Sequence, residues 1–407
     1  MSLDALTDTV LARCEALASC SEAPDRLTRR FLCPAMRSAH ELLASWMRDA
    51  GLGVRVDAVG NLIGRRDGQT DRIVAVGSHI DTVPNAGRYD GVLGVLLGIA
   101  AMDALRGITF RRTADVIAFA EEEGVRFGVP YLGSRAVVGR LGPAELALTD
   151  ADGISVARAI EGFGLDPSAT ARAAYPPGQP EAYLEAHIEQ GPVLDESGLG
   201  LGIVTSIVGQ TRLSLAWLGR SGHAGTEPMR HRRDALAGAA EFIAAVERLA
   251  QADPELRATV GNLVVTPNAP NVVPGDVRLS LDVRHPVDEV RRQAVDQLRT
   301  WARDIAGRRR LTVRVDPIAE SAAVACDAGL TDRLAAAVAA EGLTGVRLSS
   351  GAGHDAAVLA ERCPVALLFI RSPGGLSHHP DEAVRREDVR AALSVMIRFL
   401  RLELDRE

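Results

Sequence analysis

Three histidines and a set of carboxylates sit where the chain passes from apolar to turn-forming sequence. His79 follows the apolar run 73–77, Asp81 comes two residues later, and Asp90-Gly91 opens a long apolar helix pattern. Glu121-Glu122-Glu123-Gly124 closes the run 115–120, His187 closes 182–187, and His378 stands in a glycine-rich loop just before Pro380. Imidazoles and carboxylates are costly to place against a core unless something pairs with them, and a divalent metal ion is the natural partner. Imidazole with carboxylate and no thiolate suits Zn²⁺, Mn²⁺ or a related ion without choosing between them. Five ligands are too many for one catalytic ion with open positions, but they fit two ions sharing a bridging carboxylate. Asp81 lies on the same side of an extended segment as His79 and suits a carboxylate that orients the imidazole. Consecutive glutamates on an extended strand cannot both face one ion, which leaves one free as a general base. Geometry alone does not choose among Glu121, Glu122 and Glu123. His40, His231 and His285 fall in ordinary helix or strand contexts and read as surface or satisfied side chains.

The elements that must position these groups can be read from hydrophobic periodicity. Helices are expected over 4–19 and 36–50, short strands over 54–58 and 61–65, then strand 73–77, helix 91–105 and strand 115–120. Strand, helix and strand of this length imply a right-handed crossover between parallel neighbours. Both strands then end at one sheet edge, where open α/β folds place their ligands. A loop-and-helix region spans 132–165, and strands follow at 182–187 and 200–207. From 209 the pattern changes: strand 212–217, helix 233–251, strands 262–266 and 277–284, helix 287–306, strand 311–315. That order, βαββαβ, is the split βαβ plait. The first domain resumes with helix 330–341, strands 345–348 and 365–370, and helix 387–403. The expected fold is therefore α/β, a catalytic domain with a mixed sheet (1–208 and 319–407) carrying an inserted α+β lid or dimerisation domain (209–318).

Composition narrows the function. A chain of 407 residues with 47% hydrophobic and 24% charged residues reads as soluble and globular, with room for two domains. The net charge of −7 argues against a nucleic-acid partner. All basic residues other than histidine are arginine, which excludes a Schiff-base lysine and a phosphate loop built on lysine. Five cysteines without a CxxC spacing read as reduced, buried thiols of a cytoplasmic protein. The first residues form an acid-containing amphipathic helix pattern unlike a signal peptide, and no apolar run approaches membrane-spanning length.

The motifs Gly77-Ser78-His79-x-Asp81-Thr82-Val83, Tyr89-Asp90-Gly91, Glu122-Glu123-Gly124-Val125-Arg126-Phe127 and His187-Ile188-Glu189-Gln190-Gly191-Pro192 carry a family resemblance. It continues through His223-Ala224-Gly225-Thr226-x-Pro228-Met229, Asn271-Val272-Val273-Pro274-Gly275, Ser350-Gly351-Ala352-Gly353-His354-Asp355-Ala356 and Ser377-His378-x-Pro380. Together these resemble the dinuclear metal amidohydrolases of the M20 peptidase superfamily over nearly the whole chain. More narrowly they resemble the branch of allantoate amidohydrolases, N-carbamoyl-L-amino-acid hydrolases and β-ureidopropionases. The resemblance implies two divalent ions (Zn or Mn) bridged by Asp90 and held by His79, Glu123, His187 and His378, with Glu122 as general base. It implies that His223 stabilises the oxyanion in the partner subunit's active site, so that the protein is a homodimer. Gln190, Asn271 and Arg284 would hold the substrate's amide and carboxylate, a role for which a guanidinium suits Arg284. The implied reaction is hydrolysis of a ureido C–N bond in a small carboxylate-bearing substrate, releasing ammonia and carbon dioxide, with domain closure completing the site. Phe119 to Phe127, Tyr131-Leu132-Gly133-Ser134 and the run 369–378 look most like allantoate amidohydrolases. N-carbamoyl-L-amino-acid hydrolase or β-ureidopropionase is the alternative, and an exopeptidase or a non-catalytic binding protein stands further off. Two positions depart from the pattern: Glu227 replaces a usual threonine, and His379 adds a second imidazole beside His378.

Overall fold

The computed structural model describes residues 1–406. Its first elements are α1 (Leu3–Ala18), α2 (Pro34–Asp49), β1 (Gly53–Val56), β2 (Leu62–Arg66), β3 (Ile73–His79), α3 (Val92–Ala104), β4 (Thr113–Phe119), β5 (Ala182–Ile188) and β6 (Leu201–Ile207). Short helical turns fill 132–173 between β4 and β5. Ser2 caps α1 by accepting the Ala5 N–H, and Pro34 sits at the start of α2, where its missing N–H costs nothing.

β3 and β4 are parallel neighbours, paired from Ile73 with Thr113 to His79 with Phe119. The strand thus runs two residues beyond the expected 73–77, because the ladder to β4 carries on through Ser78 and His79. Every residue of β3, β4 and β5 is buried, as strands covered on both faces require. α3 packs over them with every residue from Val92 to Met102 buried, which explains a helix that is apolar all round.

The chain divides into two compact units, Met1–Thr205 with the chain from Cys326 onward, and Ser206–Ala325. In the second, β7 (Gly209–Leu218), β8 (Gly222–His223), α4 (Ala235–Gln251), β9 (Arg257–Thr259), β10 (Leu263–Thr266), β11 (Val272–Val273), β12 (Asp276–His285), α5 (Asp288–Arg309) and β13 (Thr312–Ser321) follow in order. The antiparallel sheet is ordered β10-β12-β7-β13 with β9 on β12, and β8 pairs separately with β11. β12 alternates buried and accessible residues, burying Val277, Leu279, Leu281 and Val283 beside Trp217 and Phe242. β13 runs six residues past its expected end at 315. It does so through an irregularity between Pro317 and Ala319, where proline has no N–H to give the ladder. α4 starts two residues later than expected because the Asp234 side chain caps it, accepting the Ala237 N–H.

β14 (Val324–Ala325), α6 (Ala328–Ala340), β15 (Gly345–Ser350), α7 (Asp355–Leu359), β16 (Val365–Ile370) and α8 (Arg386–Leu404) complete the chain. The large sheet is mixed, with path β1-β2-β4-β3-β5-β16-β6-β14 and β15 also on β6. Its central strands β4, β3, β5 and β16 are mutually parallel. Among the described residues no helix is long and apolar enough to cross a membrane.

Candidate metal centre

The parallel strands deliver their C-terminal ends to one edge, and the ionisable groups collect there. His79 is the last residue of β3, His187 the penultimate residue of β5, Glu121–Glu123 follow β4, and the loop after β16 carries His378. Asp90 precedes α3, whose first turn is admitted by Gly91 at φ 66°. A Cβ there would lie 2.5–2.6 Å from the His79 ring, so glycine lets the helix start approach the imidazole.

His79 Nδ1 lies 3.1 Å from the Asp81 carbonyl oxygen, and His187 Nδ1 lies 2.9 Å from that of Ile188. Donation from each Nδ1–H to its carbonyl leaves a lone pair on each Nε2, and these two nitrogens face one another at 3.4 Å. Asp90 Oδ1 joins them, 3.2 Å from His187 Nε2 and 3.9 Å from His79 Nε2. The other oxygen, Asp90 Oδ2, is 3.2 Å from His378 Nε2, which is 3.7 Å from Glu123 Oε1. One carboxylate thereby divides its oxygens between two ligand sets. Potential ligand atoms lie within 4.8 Å of one another in three groups: His79, Asp90 and His187; Asp90, Glu123 and His378; and His79, Glu122 and Glu123.

This donor set fits a cation. Asp90 Oδ2 and Glu123 Oε1 are buried and make no hydrogen bond, and acceptors converge without a hydrogen to share. Burial raises Glu122 well above the usual carboxylate range, and burial together with Asp90 pushes Glu123 up to about 7. Burial opposes ionisation of Asp90 too, but the imidazoles of His378, His187 and His79 close to its oxygens hold it below its ordinary value. A divalent ion would add the missing positive charge and favour all of these carboxylates in their ionised form.

Asp81 does more than orient an imidazole. Its Oδ1 is 3.4 Å from His79 Nδ1 and accepts the Glu122 N–H at 3.0 Å, while Oδ2 accepts the Glu123 N–H at 3.2 Å. The glutamates lie past the end of β4 in a bend, so the expected alternation of an extended strand does not govern them. Potential ligand atoms of Glu122 and Glu123 both lie within 4.8 Å of a His79 ring nitrogen.

Gln190 also belongs to this cluster. Held at φ 59°, it donates from Nε2 to Asp90 Oδ1 at 3.0 Å. His379 turns away, its Nδ1 accepting the Asp381 N–H at 3.2 Å, so His378 alone of the pair faces Asp90. In the second unit, pairing of β8 with β11 sets His223 opposite Val272, and the Ala224 N–H donates to the Asn271 carbonyl at 2.9 Å. Two residues far apart in sequence are thus neighbours. Arg284 donates from Nε to Asp282 Oδ1 at 2.9 Å, and Asp282 also receives Gln210 and Arg212. Glu227 pairs with Arg220.

Three further residues lie about the centre without having been assigned a role from the sequence. His354 packs edge-on against His187 with ring centroids 4.6 Å apart, and its Nε2 meets Ser350 Oγ at 2.8 Å. Glu121 is turned from the cluster, its Oε1 accepting the Gly124 N–H at 2.6 Å. Glu382 is buried beside Asp90. Only the motif 350–355 could have pointed to His354, since it ends a strand in turn-forming residues.

The model of peptidase family M20/M25/M40 matches residues 75–402. An N-carbamoyl-L-amino acid amidohydrolase of Geobacillus stearothermophilus is 41% identical over 374 residues, covering 91% of each chain. An allantoate deiminase of Arabidopsis thaliana is 38% identical over 436 residues, covering 98% of this chain and 83% of its own. A solved amidase of the hydantoinase/carbamoylase family from Burkholderia multivorans superposes with a TM-score of 0.91 at 30% identity, covering 98% of both chains.

Proposed function

The chain belongs to peptidase family M20/M25/M40, and from that premise we propose that it is a metal-dependent amidohydrolase cleaving the ureido C–N bond of a small carboxylate-bearing molecule, allantoate above all. The observation that carries the proposal is Asp90, whose two oxygens address two ligand sets while Glu122 stands within reach of both His79 and Glu123. His79, Asp90 and His187 would hold one divalent ion, Zn or Mn, and Asp90, Glu123 and His378 a second. Bound there, such ions supply Lewis acidity to the carbamoyl carbonyl and to a water.

The remaining work falls to the chain's own side chains. Glu122 takes the proton of the attacking water and then passes it to the leaving nitrogen, a double role that suits a carboxyl group whose burial raises its pKa. Asp81 fixes both the His79 ring and the backbone from which Glu122 and Glu123 extend. We assign the substrate amide to Gln190, a reading its bond to Asp90 supports. We assign oxyanion stabilisation to His223 of the partner subunit in a homodimer, with Asn271 beside it, and the substrate carboxylate to Arg284. Asp282 orients that guanidinium, and a substrate carboxylate would share it. Five free, buried cysteines suit the reducing cytoplasm we assign to the protein.

A second reading, N-carbamoyl-L-amino-acid hydrolysis, is favoured by the name of the relative at 41% identity. Both substrates present a ureido group beside a carboxylate. Ammonia release from allantoate measured against a panel of N-carbamoyl-L-amino acids separates them. Preferential turnover of allantoate is expected, and turnover of the panel with none of allantoate would establish the second reading instead.

A further inference from the structure

Glu382 is buried, four residues beyond His378. Its Oε1 accepts the main-chain N–H groups of Tyr89 at 3.0 Å and Asp90 at 3.1 Å, and its Oε2 accepts the Ser377 hydroxyl at 3.0 Å. Its own N–H donates to the His379 carbonyl at 3.0 Å. One carboxylate therefore ties the segment presenting Asp90 to the segment presenting His378. Space for it is kept by Gly87, because a Cβ there would strike the Glu382 side chain. His378 sits at φ 55°, a left-handed conformation that a histidine keeps only when its surroundings over-determine it.

We propose that Glu382 is a positioning residue for the second ion, setting Asp90 and His378 relative to each other through its bonds to Tyr89, Asp90 and Ser377. The inference rests on the two-ion reading above. What the site requires of Glu382 is hydrogen-bond acceptance. Glu382→Gln keeps a carbonyl oxygen for both main-chain N–H groups and turns its amide to donate to Ser377 Oγ, whereas Glu382→Ala leaves both N–H groups buried without an acceptor. The set formed by His79, Asp90 and His187 depends less on this tie, since His79 and His187 are fixed by their own strands and carbonyl partners.

The test is titration of the metal-free full-length protein with Zn²⁺ against a competing chromogenic chelator, alongside the unfolding temperature. Wild type and Glu382→Gln should each take up two ions with matching affinities. Glu382→Ala should retain one at wild-type affinity and bind the second roughly 10–100-fold more weakly, the usual effect of removing a group that orients a ligand. A merely structural role would lower the unfolding temperature without separating the two ions. Gly87→Ala displaces the same carboxylate without deleting it, and it carries the comparison if Glu382→Ala does not fold. Two ions at wild-type affinity in folded Glu382→Ala, or in Gly87→Ala in its place, would overturn the inference. Wild-type protein taking up fewer than two ions would instead overturn the two-ion reading, so the two failures appear in different proteins.

Discussion

In the proposed function Asp90 is the residue on which the chemistry turns, because each of its oxygens faces a different set of candidate ligands. Asp90→Asn should therefore weaken both ions together, measured as metal content after gel filtration at limiting Zn²⁺. Loss of one ion alone would show that the carboxylate does not bridge. Glu122 has a different signature. Glu122→Gln should keep metal content while lowering kcat by roughly 10²–10⁴-fold, the usual span for a general acid–base group, and steady-state ammonia release checks it. The positions of these residues were legible in the chain because each stands where an apolar run meets turn residues. Glu382 was not legible. It lies in a charged loop without periodicity, and its partners are main-chain N–H groups nearly three hundred residues away, which no side-chain pattern can announce. The choice between His378 and His379 likewise needed the backbone, since adjacent imidazoles are told apart only by the direction each faces.

Among the elements, the parallel strands were readable because strands buried on both faces are continuous apolar runs, and helix α3 because it is apolar throughout. Short pieces escaped. β8 and β11 have two residues each, too few for any period, yet their pairing is what makes His223 and Asn271 neighbours. α2 illustrates a burial whose consequence is measurable. His40 packs edge-on to Phe163 at 5.4 Å and is buried with its Nε2 lacking a hydrogen bond, so it is not the surface or satisfied side chain expected from sequence. Burial lowers its pKa to about 4 from an ordinary 6.5, with Arg37 and Arg29 adding to the effect. Because the folded-state value lies below the unfolded one, the unfolded chain binds the extra proton as pH falls from 6.5 towards 4, and stability is lost over that window. The difference is about 3 kcal/mol at the acid end. His40→Leu should flatten the fall in unfolding temperature between pH 7 and pH 4, and an unchanged slope would refute the assignment.

At the scale of the whole molecule, the chain joins an α/β unit bearing the candidate metal-binding groups to an inserted unit bearing His223, Asn271 and Arg284. The insertion was legible as a change from continuous apolar runs to alternating ones, and the strand order of the plait follows from its βαββαβ succession. The proposed homodimer has no basis in periodicity, because a subunit contact leaves no repeat in one chain. The assignment of His223 to the partner's site makes a sharp prediction. Mixing Glu122→Gln and His223→Ala, each strongly impaired alone, should raise ammonia release above either variant's own, because one of the two sites in the mixed dimer then holds both groups intact. No recovery on subunit exchange would place His223 in its own chain's site or outside the reaction. The central claim, that two ions held about Asp90 drive ureido hydrolysis, is tested most directly by stripping the protein of metal and restoring Zn²⁺ or Mn²⁺ stepwise while ammonia release from allantoate and N-carbamoyl-L-amino acids is recorded. The account predicts no turnover in the stripped protein and full recovery as the second equivalent binds; full turnover in metal-free protein would contradict it.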